Sequence, residues 1–344
     1  MRRAFLLILS VFLIAFAGCG GDAETTGGGD ASGGEDTPRV AYVTNGIASF
    51  WVIAEKGAQA AGEKVGADVI VKMPPNGVDD QKRMVQDLLA EGVSGIAISP
   101  IDSDNQGDLL DEIAANANLI THDSDAPNSK RQCYIGMDNY SAGRMCGQLV
   151  KEAMPDGGSV IIFVGRLGQA NARLRRQGVI DELLDRTPDS SRYDDPNAGE
   201  LKGKKYTVLD TRTDGFDFGK AKAQAQDAIA KYEDLGCMVG LFSYNPPLML
   251  EAVKEAGKVG DIKIVAFDEA DDTLAGIQEG SIYGTTVQNP YEYGYKSIEV
   301  LTALAKGDNS IIPEDGFINV DARNIVKGNV DEFWAKLKEL TEEK

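Results

Sequence analysis

The residues best equipped for chemistry in this chain stand at the ends of short apolar runs. Thr44-Asn45, Ser99-Pro100, His122-Asp123-Ser124, Asp138-Asn139, Ser243-Tyr244-Asn245, Phe267-Asp268-Glu269 and Gln288-Asn289 each follow a stretch that reads as a β-strand. Carboxylates accept hydrogen bonds and amides both donate and accept, so such a set suits a polar, hydroxyl-rich ligand. One Asp or Asn in such a place is ordinarily a turn former or a helix cap. In open α/β sheets, however, ligands sit beyond the carboxyl ends of the strands, which would bring the whole set to one crevice. His122 is the single histidine. It adjoins Asp123, so strand alternation turns it the other way and makes it a packed residue. With so few His and Cys ligands no zinc set can be assembled. The turn TNGIASFW lacks the G-x-G-x-x-G of a dinucleotide site, and no G-x-S-x-G elbow follows any strand. The chemistry expected is capture, not catalysis, with neither a cofactor nor a metal.

These strand ends need a scaffold that aligns them. Strands are expected at residues 39–44, 68–72, 95–99, 117–121 and 133–136, then at 159–164, 205–209, 238–243, 263–267 and 282–286. Helical patterns lie between them. Ala54, Ala58, Ala61 and Val65 fall on one face and stop at Gly66; Met84, Val85, Leu88 and Leu89 do the same and stop at Gly92. Strands apolar throughout that alternate with helices imply parallel sheets covered on both faces. Ten strands are too many for one ordinary open sheet, so two are expected, one per lobe. Residues 185–204 are polar with two prolines and read as an exposed loop of the second lobe. Tyr291, Tyr293 and Tyr295 read as one stretch of helix, partly core and partly surface.

The first residues, MRRAFLLILSVFLIAFAGC, carry Arg2 and Arg3 and then an apolar run shorter than a membrane span. This is a secretion signal over 1–18, and the small pair before Cys19 resembles a lipobox, which would make Cys19 a lipidated first residue. Residues 19–38, rich in Gly, Thr, Ser and Asp, read as a flexible acidic linker. The formal charge of −19 argues against nucleic acid and anionic surfaces as partners. Membrane contact is expected through the lipid anchor only. Cys133, Cys146 and Cys237 remain after Cys19. Cys133 and Cys146 either pair or stay as buried thiols, and spacing alone leaves both open.

Taken in order, SFWVIAEKGAQ, ISPIDSD, ITHDSDAP, YIGMDNYSAGR, NARLRRQG, IVAFDE and TTVQNPYEYGY make about residues 40–326 resemble a periplasmic sugar-binding protein of ABC importers. The likeness is to the ribose-binding-protein type, a type I periplasmic binding protein. It implies an α/β fold of two doubly wound parallel-sheet lobes joined by a three-strand hinge. The lobes would be 39–137 plus 289–320 and 138–288 plus 321–344, with hinges near 137–139, 288–290 and 319–322. It further implies that Phe50, Trp51, Asp123, Arg175, Phe216, Asn245, Asp268 and Gln288 touch the sugar. The residue types suit a monosaccharide: acids accept from pairs of hydroxyls, the guanidinium donates in a fixed fork, and flat rings cover C–H faces. Ribose binders of this kind carry a second arginine after the acid of ITHDSD. Here Ser124 stands in that place, Ala48 replaces a polar residue before the aromatic pair, and Ser99 an asparagine, so ribose itself is not implied. The function expected is a monomeric, lipid-anchored protein of the periplasm or cell envelope that hands a neutral monosaccharide to an ABC permease. The alternative is a sensor that presents the sugar to a membrane receptor or histidine kinase. A sugar-sensing repressor would need a basic DNA-binding segment where this chain has its leader and acidic linker.

Overall fold

The computed structural model describes residues 37–341. The expected signal over 1–18, Cys19 and all of the linker but its last two residues lie outside the described residues. The chain alternates strand and helix: β1 (Arg39–Val43), α1 (Ser49–Val65), β2 (Asp68–Lys72), α2 (Val78–Ala90), β3 (Gly95–Ile98), α3 (Gly107–Asn116), β4 (Asn118–His122) and β5 (Tyr134–Gly136). Then come α4 (Asn139–Ala153), β6 (Gly158–Val164), α5 (Ala170–Leu183), β7 (Leu201–Lys202), β8 (Tyr206–Thr213), α6 (Phe218–Lys231), β9 (Leu235–Gly240), α7 (Asn245–Glu255), β10 (Lys263–Phe267), α8 (Asp271–Glu279) and β11 (Gly284–Val287). The last elements are α9 (Pro290–Ala305), β12 (Phe317–Asn319), β13 (Arg323–Val326) and α10 (Val330–Thr341).

The strands form two sheets, ordered β12-β5-β4-β3-β1-β2 and β13-β11-β10-β9-β6-β8-β7. Every pair in the first is parallel. The second is parallel except at its edges, where β13 and β7 run antiparallel to their neighbours. Burial explains why the strands read as continuous apolar runs. In β1, Val40 and Tyr42 enter one core while Ala41 and Val43 enter another. In β6, Ile161 and Phe163 face one side and Val160, Ile162 and Val164 the other. Both faces of each sheet are dry, as helices on both sides require.

The chain crosses between the sheets after β5, after β11 and between β12 and β13. This is a two-lobed α/β fold with a three-strand hinge. Within each lobe one helix pair packs through glycines, and each pair carries side chains of the site. A Cβ on Gly57 of α1 would fall 1.9 Å from the Tyr291 carbonyl oxygen of α9, and one on Gly294 of α9 1.9 Å from that of Ala54. In the other lobe Gly143 of α4 and Gly178 of α5 each leave 2.2 Å to the Arg175 and Tyr140 carbonyls. Such backbone-to-backbone contact fixes the depth at which Phe50 and Trp51 on α1, and Arg175 on α5, are held.

Some elements differ from the sequence expectation. β7 lies inside the stretch expected to be loop, and that stretch is pinned: Asp194 accepts from Gln177 at 2.7 Å and from Arg186 at 2.6 Å. β9 begins earlier than expected, and it ends earlier because Phe242, Ser243 and Tyr244 leave the sheet to build a cavity wall. β12 and β13 are too short to show a period. Cys133, Cys146 and Cys237 are all free and buried, and Cys133 and Cys146 belong to the cores of different lobes, so no disulfide joins them. Burial pushes their thiols up, to about 11 for Cys133 and about 12 for Cys146, which leaves them inert.

Candidate functional site

A cavity of about 500 Å³ lies where the strand ends of the two sheets face each other. Asp123 follows β4, Asp268 follows β10, Gln288 follows β11, and all three line it. Phe50 and Trp51 arrive on the first turn of α1, Arg175 on α5, and Phe216 on the turn after β8. Asp123, Phe216 and Asp268 hold φ values of 56°, 70° and 68°. L-residues avoid this left-handed region at a cost of about 1–2 kcal/mol each. Strain gathered at three wall residues is what a site that must aim particular side chains would retain.

Asp123 and Arg175 meet in the middle. Arg175 Nη2 donates to Asp123 Oδ1 at 3.4 Å, while Asp123 Oδ2 accepts from Ser99 Oγ at 3.1 Å, Asn171 Nδ2 at 3.2 Å and Asn45 Nδ2 at 3.4 Å. Ser99 and Asn45 come from the first lobe, Asn171 and Arg175 from the second, so the lobes touch through this carboxylate. On the rim, Arg173 reaches Asp104 at 3.1 Å. Arg175 is almost fully buried. Its Nε donates to Asn139 Oδ1 at 2.8 Å, its Nη1 to the Leu241 carbonyl at 3.2 Å, and its plane lies 4.4 Å from the centre of the Phe267 ring.

Burial pushes the Asp123 carboxyl up, opposed first by the Arg175 charge and then by its hydrogen bonds. Asp268 is pushed up to about 6 by burial, with Arg175 and the Gln288 amide pulling it down and the Asp123 charge adding to the rise. Gln288 Nε2 donates to Asp268 Oδ1 at 2.7 Å, and the Tyr293 hydroxyl donates to Gln288 Oε1 at 3.1 Å. The amide is therefore locked in one orientation. Opposite these groups stand Trp51, edge-on to Phe50 at 4.7 Å, and Phe216, edge-on to Phe242 at 5.3 Å. The arrangement can grip a ring that carries hydroxyls on its edge and C–H bonds on its faces. Among the described residues no cluster of three His, Cys, Asp or Glu could hold a metal.

Asn245 departs from the expected set. It does not line the cavity: its Nδ2 donates to Asp214 Oδ2 at 3.0 Å, and Ser243 and Tyr244 take its place in the wall. His122 is indeed packed. It stacks on Tyr42 at 4.0 Å, and the Val43 carbonyl 3.2 Å from Nε2 can only accept, so Nε2 carries the hydrogen. Nδ1 then accepts from the Tyr42 hydroxyl at 3.0 Å. Burial lowers His122 to about 3, and this neutral ring backs Trp51 edge-on at 5.6 Å. Tyr293 is buried, whereas Tyr291 and Tyr295 stack on each other at 6.2 Å at the surface of α9. The sequence reading missed Arg166, Phe218 and Phe242 as wall residues and Asn171 as a partner of Asp123. Arg166 and Phe242 follow their strands by two residues, and for Phe242 that signal was obscured by the displaced end of β9.

The model of the periplasmic binding protein domain matches residues 40–309. The chain belongs to the periplasmic binding protein family. The ribose import binding protein of Escherichia coli is 26% identical over 264 residues, which cover 75% of this chain and 81% of that one. The xylitol-binding protein of Mycolicibacterium smegmatis is 26% identical over 327 residues, or 92% and 86% of the two chains. Among solved structures, an ABC transporter solute-binding protein of Agrobacterium vitis, bound with α-D-tagatopyranose, is 25% identical with a TM-score of 0.77. That match covers 88% of this chain and 99% of the other. The XylFII-LytSN complex contains a chain of the same fold, with a TM-score of 0.73 at 21% identity over 85% of this chain and 98% of that one. The sequence expectation of a type I periplasmic binding protein is met, and these relatives are solute-binding proteins, not enzymes.

Proposed function

We propose that this periplasmic binding protein is a lipid-anchored, extracytoplasmic monomer that captures a neutral monosaccharide by lobe closure and delivers it to an ABC importer permease. The observation that carries the reading is the pair of buried acids, Asp123 from one lobe, ion-paired to Arg175, and Asp268 from the other, within reach of the same charge. Two acceptors and one guanidinium in the same wall match the hydroxyls of a sugar edge without requiring a charged ligand. Phe50, Trp51 and Phe216 would cover its faces, and Gln288 would reach it from the hinge. The moving bodies are residues 39–137 with 289–320, and 138–288 with 321–344. A ligand held by both has its higher affinity for the closed form, and that difference drives closure.

The test is a thermal-shift screen of pentoses, hexoses and polyols, followed by small-angle scattering with the best binder. A saturating ligand that binds only the native state adds about 2.7 kcal/mol at a hundredfold excess over its Kd. One neutral sugar should raise the melting temperature and contract the radius of gyration. No shift with any neutral sugar defeats the ligand class, and a shift with unchanged dimensions defeats closure.

Anchoring rests on AFAGC before an acidic, glycine-rich stretch. Mass spectrometry of the envelope fraction should find Cys19 acylated at the mature N-terminus. An unmodified mature chain free in the soluble fraction removes this part of the proposal.

A second reading has one observation in its favour, the shared fold with a chain of the XylFII-LytSN complex. In it, the closed lobes signal to a membrane receptor or histidine kinase. Uptake of the labelled sugar by cells lacking this chain separates the two. Uptake falls if the chain feeds an importer; it persists, with sugar-induced transcription lost, if the chain feeds a receptor.

A further inference from the structure

Behind the ligand cavity, on its hinge side, lies a second cavity of about 110 Å³. Its walls come from both lobes and from the crossing strands: Ile53 on α1, Gln288 and Asn289 at one crossing, Arg323 just past another, and Phe333 and Lys336 on α10. Gln288 lines both cavities. Glu269 faces the smaller one. Its neighbour Asp268 turns through the left-handed region, so the two consecutive acids serve different cavities.

Glu269 is 5% exposed, and neither Oε1 nor Oε2 has a hydrogen-bond partner. A buried ionised carboxylate left unpaired costs several kcal/mol, so such groups normally pair or take up a proton. Arg323 is near enough to act on it electrostatically, yet no ion pair joins them among the described residues. The Arg323 guanidinium instead lies over the Phe333 ring, 4.6 Å from its centre.

We infer that Glu269 is a proton switch in the hinge: it holds a proton while the lobes are together and releases it to solvent, turning to Arg323, when they part. The inference rests on the reading that these lobes move. The O–H bond breaks, the proton passes to water, and the carboxylate exchanges an orphaned position for charge-assisted hydrogen bonds. The charges that act on Glu269 are Asp268 at the end of β10, Arg323 on β13 and Arg175 on α5, and Lys336 on α10 and Tyr291 on α9 line the same cavity. Burial first, and the Asp268 charge second, raise Glu269 well above the usual carboxylate value of 4.5, while Arg323 and Arg175 oppose the rise. The closed form therefore binds more protons than the open one. Its advantage is full below the ordinary carboxylate value and is lost as pH rises through the raised one.

The pH arm of the experiment needs no ligand. Spin labels on cysteines introduced at exposed Ala115 of α3 and Ala223 of α6, in the full mature chain, report interlobe distance by pulsed EPR from about pH 5 to about pH 9. Cys133, Cys146 and Cys237 are buried and do not compete, and Cys19 is replaced by serine for the labelling. On acidification the closed population should grow, by up to about tenfold per pH unit, the limit for one linked proton. Glu269→Gln, which mimics the protonated acid, should hold the closed population at its acid level throughout. Arg323→Gln, which removes the open-state partner, should move the transition to higher pH. A pH response unchanged in Glu269→Gln overturns the switch while leaving lobe movement intact. Distances that never change with pH, yet contract when the sugar found by screening is added, overturn the switch alone; distances fixed under both overturn lobe movement itself.

Discussion

Arg175→Met should abolish detectable sugar binding and lower the unfolding midpoint, with the larger loss at alkaline pH. The guanidinium pairs with Asp123, its charge acts on Asp268, and it lies over the Phe267 ring. Methionine can refill much of the volume but none of the charge. Removing one partner of a buried pair costs about 3–5 kcal/mol, because the remaining carboxylate stays desolvated. Binding loses the donors that the arginine offers, at about 1.5–3 kcal/mol for each charged hydrogen bond, so two lost bonds mean about a hundredfold to ten-thousandfold.

The pH dependence follows from Asp268, held near 6 by burial against the pull of Arg175. Without the arginine its folded value climbs further above the unfolded one. A carboxyl raised in the folded state favours folding only while protonated, and that contribution is lost as pH rises through the folded value. The variant's deficit should therefore be smallest near pH 5 and widen toward pH 8. Urea melts at both values and calorimetry with the sugar found by screening provide the check. Wild-type affinity, or a deficit independent of pH, would sink the central role assigned to this side chain.

The legible part of the molecule is the part governed by burial. β10 is an apolar run buried on both faces and β2 an apolar run, partly buried, at the sheet edge, and the bounds of both were readable from residue type alone. Asp123, Asp268 and Gln288 were findable because each closes such a run, and parallel sheets send those ends to one side. What stayed hidden depends on geometry without a period. β7, β12 and β13 span two to four residues and, unlike the equally short β3 and β5, lie at sheet edges without a fully buried apolar run to mark them. Asn245 has the right type in the right place, yet Asp214 claims its amide, and no sequence rule separates an amide that faces a ligand from one that holds a neighbour. Glu269 was visible as a strand-end acid, but its orphaned position became evident only with α10 and β13 in place.

The two acids should respond differently to substitution, and Asp268 is the more revealing. Asp123→Ala strands the donors of Ser99, Asn45, Asn171 and Arg175 at once, so affinity and stability should fall together. Asp268→Asn keeps the size of the side chain and an oxygen for the Gln288 Nε2 donor, while it removes a charge that burial disfavours. In the wild type Asp268 is raised from 3.8 to about 6. Ionising it in the folded state therefore opposes folding, and the penalty develops as pH climbs through that range. Asparagine has no such penalty. The variant should come closest to the wild type in thermal stability below the unfolded value of 3.8, lead it already at pH 5, and lead by more at pH 8. Binding should move the other way: one lost charged acceptor weakens the sugar by about ten- to a hundredfold, and two by the square of that. A protein that retains a destabilising acid in a site is expected to gain function from it. Melting curves at the two pH values, together with calorimetry, decide the matter. Wild-type affinity in Asp268→Asn would remove Asp268 from the binding site, and a stability gap that fails to open with rising pH would mean that its carboxylate is already fully compensated by Arg175 and Gln288.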